Sequence, residues 1–534
     1  MANYLIGLDF GSESARGVLV DCATGLQVAD HVHPYRHGIL TDALPDGRSL
    51  PAGFTLQVAD DYLDAARDIL FTIGRGLVIE GIGIGFTASS PLPARADATP
   101  LSRLYPHSPH SYVKLWKHNA QAYADRITAS HAPSLKNFGG RVSGEWLMAK
   151  AAQIAVEAPE IWAETDRFIE SGDWLVWQLT NEECRGLGFA AYKAQYAADT
   201  GYIKDAVPGL ETRLSSPMPV GSVAGTLSPS WRQQTGICGP AVIAVAVIDS
   251  HVVLPAIGAV SPGCFVGALG TSAAYLYLSD VEQPLPPGIE GMAFDGSMRG
   301  LWCYEAGQPS FGDTLAWFVR TFARGPTLDD SFRAYNAEAE TLAPMAGRLV
   351  ALDWWGGNRV PYADGNLSGL IAGLTRHTTA AEIYLCLMEA ICFGARAIFD
   401  LFPQNGLQPE RVLMASGLAR ANPLLIQILA DVLNRPIELP DIANATAVGA
   451  AIHGAVAAGT VATYAEGAAR FGAQDVGHVL PRAHAARLYD DGYAVYSRLA
   501  REDGIHAALH ALRELPQLDE TFLKENIQKI HLNV

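Results

Sequence analysis

The 534-residue chain predicts a mixed α/β fold made of two related domains. Three observations point there. Apolar runs ending in Gly, Ser or Thr alternate with long helical patterns, the mark of α/β layers rather than an all-helical or all-β chain. The length exceeds the size at which one hydrophobic core stops growing. Two stretches half a chain apart, "LIGLDFGSESARGVLVD" at 5–21 and "FVGALGTSAAYLYLSD" at 265–280, share one plan of strand, small polar turn and strand, as a duplicated domain would.

In the first stretch an apolar run closes on Asp9, and desolvating a carboxylate there costs more than strand propensity returns. Gly11, Ser12, Ser14 and Arg16 follow. Such a hairpin can cradle phosphate, because Gly admits close backbone approach while N–H and O–H donors converge on the oxygens. The second stretch offers Gly270, Thr271 and Ser272 for the same task. An ordinary hairpin would explain one copy, but two copies with an aspartate in the first favour phosphate. Asp9 beside phosphate needs a cation between them, and Mg²⁺ reached through water is the expected one.

"GIGIGF" at 81–86 lacks dinucleotide spacing, and its glycines are expected to allow close strand packing. No P-loop, HExxH or GxSxG motif occurs. The apolar run 241–260 could span a membrane by length, but Asp249, His251 and Pro255 interrupt it; it predicts a buried strand ending at Asp249, then a helix. Alone, Asp249 reads as a helix N-cap. Between two phosphate loops in sequence, a general base that takes a hydroxyl proton is the stronger reading. Further on, a strand at 411–415 and a turn lead to Asn422-Pro423, a start signal for an apolar-faced helix that ends at Arg435-Pro436.

The first domain is expected over residues 1–257 and the second over 258–500, with a charged tail, 501–534, to which no function is assigned. A net charge of −17 opposes binding to nucleic acid or an anionic membrane. Cys22, Cys184, Cys238, Cys264, Cys303, Cys386 and Cys392 form no CxxC pair, as free thiols in a reducing cytoplasm would be. No basic region followed by an apolar core opens the chain, so no signal peptide is expected. The pairs His31/His33 and His107/His110 are expected to be solvated surface histidines.

The chain from about 6 to 467 resembles the FGGY carbohydrate kinases, and within them the ribulokinase branch. "IGLDFGSESARGVLVDCATG" resembles the family's first phosphate motif, "GALGTSAAYLYLSD" its second and "ASGLARANPLLIQILADVLNRPI" its adenosine motif. "GGNRVPYADGNLSGLIAGLTRHT" and "EAICFGAR" are similar to its C-terminal signature. "LPDGRSLP", "GFTASSPLP", "KLWKHN", "DSHVVLPAIGA" and "EAGQPSFGDTLAWF" give the ribulokinase character.

The resemblance implies two actin-like ATPase (ribonuclease H-like) domains with ATP and sugar in the cleft between them. It implies ATP- and Mg²⁺-dependent phosphorylation of the terminal C5 hydroxyl of a ketopentose, L-ribulose first. By position it places Ala88, Lys193, Asp249 and Glu305 on the sugar, with Asp249 as base and Trp116 nearby, and adds Gly417 and Asn422 to the ATP contacts. Neither Lys193 nor Glu305 stands out by spacing. The chain departs from the family at Ser416-Gly417, where consecutive glycines are usual, and at His118, where ribulokinases tend to have Asp. Trp116 to His118 is the stretch expected to decide the sugar. The partner is a small sugar, with a homodimer left open. The alternatives are the same chemistry on D-ribulose, D-xylulose or a polyol, an actin-like ATPase that is not a sugar kinase, and a silent sugar sensor.

Overall fold

A computed structural model describes residues 2–131, 133–204, 206–286, 288–415 and 417–515, so Ser416 lies outside the described residues. The first sheet begins as an antiparallel meander of Asn3–Phe10, Ser14–Asp21 and Gln27–Pro34. Val78–Phe86 then pairs parallel to Asn3–Phe10, and the short strands Val242–Ala244 and Val247–Ile248 pair parallel to Val78–Phe86. The second sheet repeats the plan. Cys264–Leu269, Ala273–Ser279 and Trp302–Gln308 lie side by side and antiparallel, with Gly291–Phe294 added at the outer edge, and Arg411–Met414 joins Cys264–Leu269 in parallel. The internal repeat of the sequence is thus a repeat of topology.

Helices cover the sheets, and the one expected from Asn422-Pro423 runs over Pro423–Leu433. Thr379 and Glu382 form a reciprocal capping box on Ala380–Gln404, whose apolar face fills the second core. The run 241–260 becomes strand up to Ile248 and helix from Asp249, as its interrupting polar residues require. Among the described residues no helix is long and apolar enough to cross a membrane.

The glycines of 81–86 meet a helix rather than a strand. Helix Ala445–Ala457, which follows the second sheet's strand Ile437–Asp441, lies flat against the first sheet. A Cβ on Gly7 would fall 1.7 Å from the Ala447 carbonyl oxygen, and one on Gly83 1.7 Å from that of Ala450. Backbone touches backbone there, and only Gly fits. A continuous apolar cluster, with Leu5 and Val18 from one sheet and Val266 and Leu413 from the other, packs around this helix.

Of the histidine pairs, His107 is exposed as expected, His31 and His33 are partly exposed, and His110 differs from expectation. His31 and His33 both bind Asp68 Oδ2, each at 2.8 Å, and His107 binds Asp46. His110 is buried, its ring edge-on to Phe54, because Phe54 needs an apolar face to close its small cluster.

Candidate active site

Where the parallel strands of the first sheet end, their following residues converge on a cleft of about 930 Å³. Gly11 and Ser12 follow the first strand, Thr87 to Ser89 the fourth, and Asp249 the short strand Val247–Ile248. Open α/β sheets place ligands at such strand ends, where loops are free of the ladder. The opposite wall comes from the second half: Ser272, Glu290, Glu305, Pro309 and the loop 356–366.

The structure brings together Ala88, Trp116, Lys193, Asp249 and Glu305, all on the cleft wall. Lys193 ends helix Leu187–Ala194, and its ammonium donates to both Glu305 oxygens at 3.2 and 3.3 Å. Glu305 sits on a central strand of the second sheet, so this pair ties the two halves. Burial alone would raise its carboxyl, but the Lys193 ammonium and then His251 hold it well below the carboxylate range. His251 is fully buried: Nε2 lies 3.8 Å from Glu305, Nδ1 meets Ser297 at 2.6 Å, and the ring packs edge-on against Tyr192.

Asp249 has the opposite electrostatics. Burial pushes its carboxyl up to about 7, and the nearby Asp9 charge adds to the rise. The Ser250 N–H donates to Oδ1 at 2.7 Å and fixes its direction. Asp9 is not unpartnered: Thr446 donates to Oδ2 from the helix between the sheets. Burial raises its carboxyl too, against that hydrogen bond and the charge of Arg16.

Of the expected phosphate contacts, Gly11, Ser12 and Ser272 line the cleft. Gly270 and Thr271 form the exposed tip beside Ser272, and the Gly270 carbonyl accepts from Gly312 N–H. Gly417 opens a short helix, and Leu418 comes close to the same Gly312. Three expected contacts stand apart from the cleft lining in this structure. Arg16 is exposed and donates to Asn444 Oδ1 at 2.7 Å; it stands directly opposite Asp9 in the antiparallel register, on the same sheet face, and is held at the start of helix Ala445–Ala457 rather than on the cleft wall. Ser14 starts the second strand, paired with Pro34, and does not line the cleft. Asn422 is buried: its Oδ1 accepts from Leu425 N–H as a helix N-cap and its Nδ2 donates to Asn336, so its amide supports the fold.

Trp116 Nε1 donates to Ser12 Oγ at 2.9 Å, joining the Trp116 segment of the cleft wall to the first hairpin. His118, expected to help decide the sugar, faces away. Burial lowers its imidazole to about 2. Nδ1 accepts from Thr55 N–H, so Nε2–H donates to Gln153, and the residue is a neutral core histidine.

Sequence reasoning missed Lys150 and Glu170. Lys150 is fully buried on helix Leu147–Glu157, and its ammonium donates to Ser89 O at 2.6 Å and Leu115 O at 2.8 Å. Glu170 accepts from Ser90 N–H at 2.8 Å. Burial lowers the lysine and raises the glutamate, and each charge offsets that for the other. Together they pin the loop carrying Ala88 and Ser89, the latter at a left-handed φ of 59°. A lone lysine in the apolar run "LMAKAAQIAV" was the available signal.

Residues 266–458 match the C-terminal domain of the FGGY family of carbohydrate kinases. The chain is 37% identical to a ribulokinase of Mycolicibacterium smegmatis, over 97% of this chain and 98% of that protein. The chain belongs to the FGGY family of carbohydrate kinases. This FGGY kinase is also 37% identical to a ribulokinase of Halalkalibacterium halodurans, over 86% of each chain. Its fold is that of a solved xylulose kinase of Rhodospirillum rubrum, with a TM-score of 0.80, 20% identity and coverage of 95% of this chain and 100% of that one. The FGGY kinase is therefore an ATP-dependent sugar kinase with the two-domain actin-like fold.

Proposed function

We propose that the enzyme transfers the γ-phosphoryl group of ATP to the C5 hydroxyl of L-ribulose. The observation that carries this reading is an ionisable carboxylate, Asp249, at a buried strand end facing the Lys193–Glu305 pair, in a chain similar to ribulokinases over nearly its whole length. Asp249 accepts the hydroxyl proton as the new O–P bond forms and ADP departs. Lys193 can only donate to sugar oxygens and the ionised Glu305 can only accept, so the pair fixes the orientation of the ketose. The Gly11–Ser12 and Gly270–Ser272 turns hold phosphate from the two sides, and closure excludes water from the transfer.

We assign Mg²⁺ to Asp9. Among the described residues no three His, Cys, Asp or Glu side chains could hold a metal by themselves. Mg²⁺ does not need such a set, since one or two carboxylates, water and substrate phosphates suffice. Asp9 fits: Thr446 takes Oδ2, and the like charge of Asp249 calls for a cation nearby. The ion would neutralise charge building on the phosphates. Asp9→Ala should raise the Mg²⁺ concentration needed for half-activation by about 10- to 100-fold and lower kcat, with sugar binding little changed. Identical Mg²⁺ titration curves would leave Asp9 a structural role alone.

We divide the chain at residue 257, with the second domain over 258–500 and the helix Ala445–Ala457 shared between them. Seven free cysteines, six of them buried, suit a reducing cytoplasm. A homodimer is the assembly to test, by light scattering during size exclusion.

A coupled ADP-release assay over L-ribulose, D-ribulose, D-xylulose and polyols tests the substrate. L-ribulose should lead in kcat/KM by about tenfold or more, because an epimer leaves a buried donor or acceptor unpaired. A higher value for another sugar overturns the choice. Lys193→Met or Glu305→Gln should lower kcat/KM for the preferred sugar by about tenfold or more while its epimers lose far less. Equal losses on every sugar would assign the pair to the fold.

A further inference from the structure

The sequence gives the segment after Arg501 no motif, yet the structure packs part of it behind the cleft. Helix Asp503–Glu514 docks through buried Leu509 and half-buried Ile505 onto the second core. Along the adjoining stripe, His506, His510 and Arg513 follow one another at helical spacing. The His506 ring stands edge-on to Trp354 and Tyr362, with centroids 5.3 and 4.8 Å away. Its Nε2–H donates to Ala500 O at 2.8 Å. His510 Nε2–H donates to Asp364 Oδ2 at 2.7 Å, and Arg513 donates to Leu367 O at 3.3 Å.

Every partner of that stripe except Ala500 lies in or beside the loop that forms the second half's sugar wall. Ala363, Asp364, Gly365 and Asn366 all line the cleft. The same loop is held in front by the first half, where Arg141 donates to Ala363 O at 2.8 Å and Glu145 faces Arg359 at 3.5 Å, while Glu290 of the second half lies 3.8 Å from Arg359. The Arg359 guanidinium and Glu145 are partly exposed, so this front contact is long and weak. Asp364 is better fixed. One of its oxygens accepts from Asn366 N–H at 2.8 Å and the other from His510, which locks the loop's turn against the helix.

We propose that helix Asp503–Glu514 is a brace for the cleft loop 356–366, with His510, supported by His506, as a positioning residue for sugar binding. The part that concerns sugar rests on the function proposed above. Without the brace the loop samples arrangements that do not meet the sugar, and apparent affinity falls with the fraction of molecules that do. Chemistry at Asp249 and binding of ATP are untouched.

His510→Ala should raise KM for L-ribulose about three- to tenfold, with kcat and KM for ATP within about twofold of the parent. His510→Gln, whose amide can still donate to Asp364, should restore much of the loss. Hydrogen exchange of the substrate-free proteins supplies a readout that needs no sugar. The Asn358 and Asp364 amides, which donate to each other's carbonyls at 2.8 and 2.7 Å, should exchange faster in His510→Ala while strand Cys264–Leu269 keeps its protection. Unchanged exchange at the loop overturns the brace. A parallel rise of KM for ATP with lost protection throughout the second sheet also overturns it, since the histidine then serves general stability. If loop exchange rises but neither protein phosphorylates L-ribulose, the brace stands and the substrate reading fails.

Discussion

Asp249→Asn is expected to lower kcat by about two to four orders of magnitude while leaving a folded protein that still binds sugar. Asn keeps the shape and can accept from Ser250 N–H, but it cannot take the hydroxyl proton. The parent should show kcat/KM rising with pH through about 7, as Asp249 ionises in the free enzyme. The same shift gives a stability test with a definite sign. The folded-state pKa is raised from 3.8 to about 7, so the folded chain holds a proton that the unfolded chain has released across that interval. Parent stability from this group therefore falls as pH rises from about 4 to about 7 and is level above. Asp249→Asn removes the penalty, so its Tm should exceed the parent's at pH 8 and approach it near pH 4. Near-normal turnover in the folded variant would sink the assignment, and a lower Tm at pH 8 would show that Asp249 is not a buried, disfavoured carboxylate.

Gly83→Val is expected to produce the largest loss of stability, about 3 kcal/mol or more, by overpacking. Its Cβ would sit 1.7 Å from Ala450 O and 3.0 Å from Gly454 N, both backbone atoms that no rotamer change can move. Either the helix Ala445–Ala457 lifts from the sheet or a central strand shifts. Lifting that helix also withdraws Thr446 from Asp9, so activity should fall beyond what unfolding explains. Gly477→Ala on an edge strand is the control: its Cβ meets only Leu439, at 3.6 Å and beyond, and the change should stay within about 0.5 kcal/mol. Chemical denaturation of the three proteins decides the matter, and parent-like stability of Gly83→Val would mean that the sheet–helix contact is not tight.

Much of this molecule can be read along the chain, and the reason is local. Asp9 and Asp249 stand at the ends of apolar runs, where side-chain periodicity and a following turn already define strand ends. The two hairpins announce themselves by Gly and hydroxyls, and Asn422-Pro423 announces a helix by its cap. Family resemblance supplied what spacing could not. Lys193 and Glu305 lie 112 positions apart, on a helix of one half and a strand of the other. Residue type does not fix direction. Arg16 has the right chemistry for phosphate and turns toward Asn444; His118 occupies a sugar-side motif and turns into the core.

By itself the sequence determined the fold class, the repeat, the strand-end carboxylates and the family to which this chain is similar. Those properties depend on periodicity, turn chemistry and composition, each set within a few neighbouring residues. Only the tertiary structure decided which charges share the cleft, that Gly81 and Gly83 admit a helix from the other half, and that Asp503–Glu514 backs the cleft loop 356–366. These depend on sheet register and on the packing of two halves about one helix, and contacts between residues hundreds of positions apart exist only once that packing has formed.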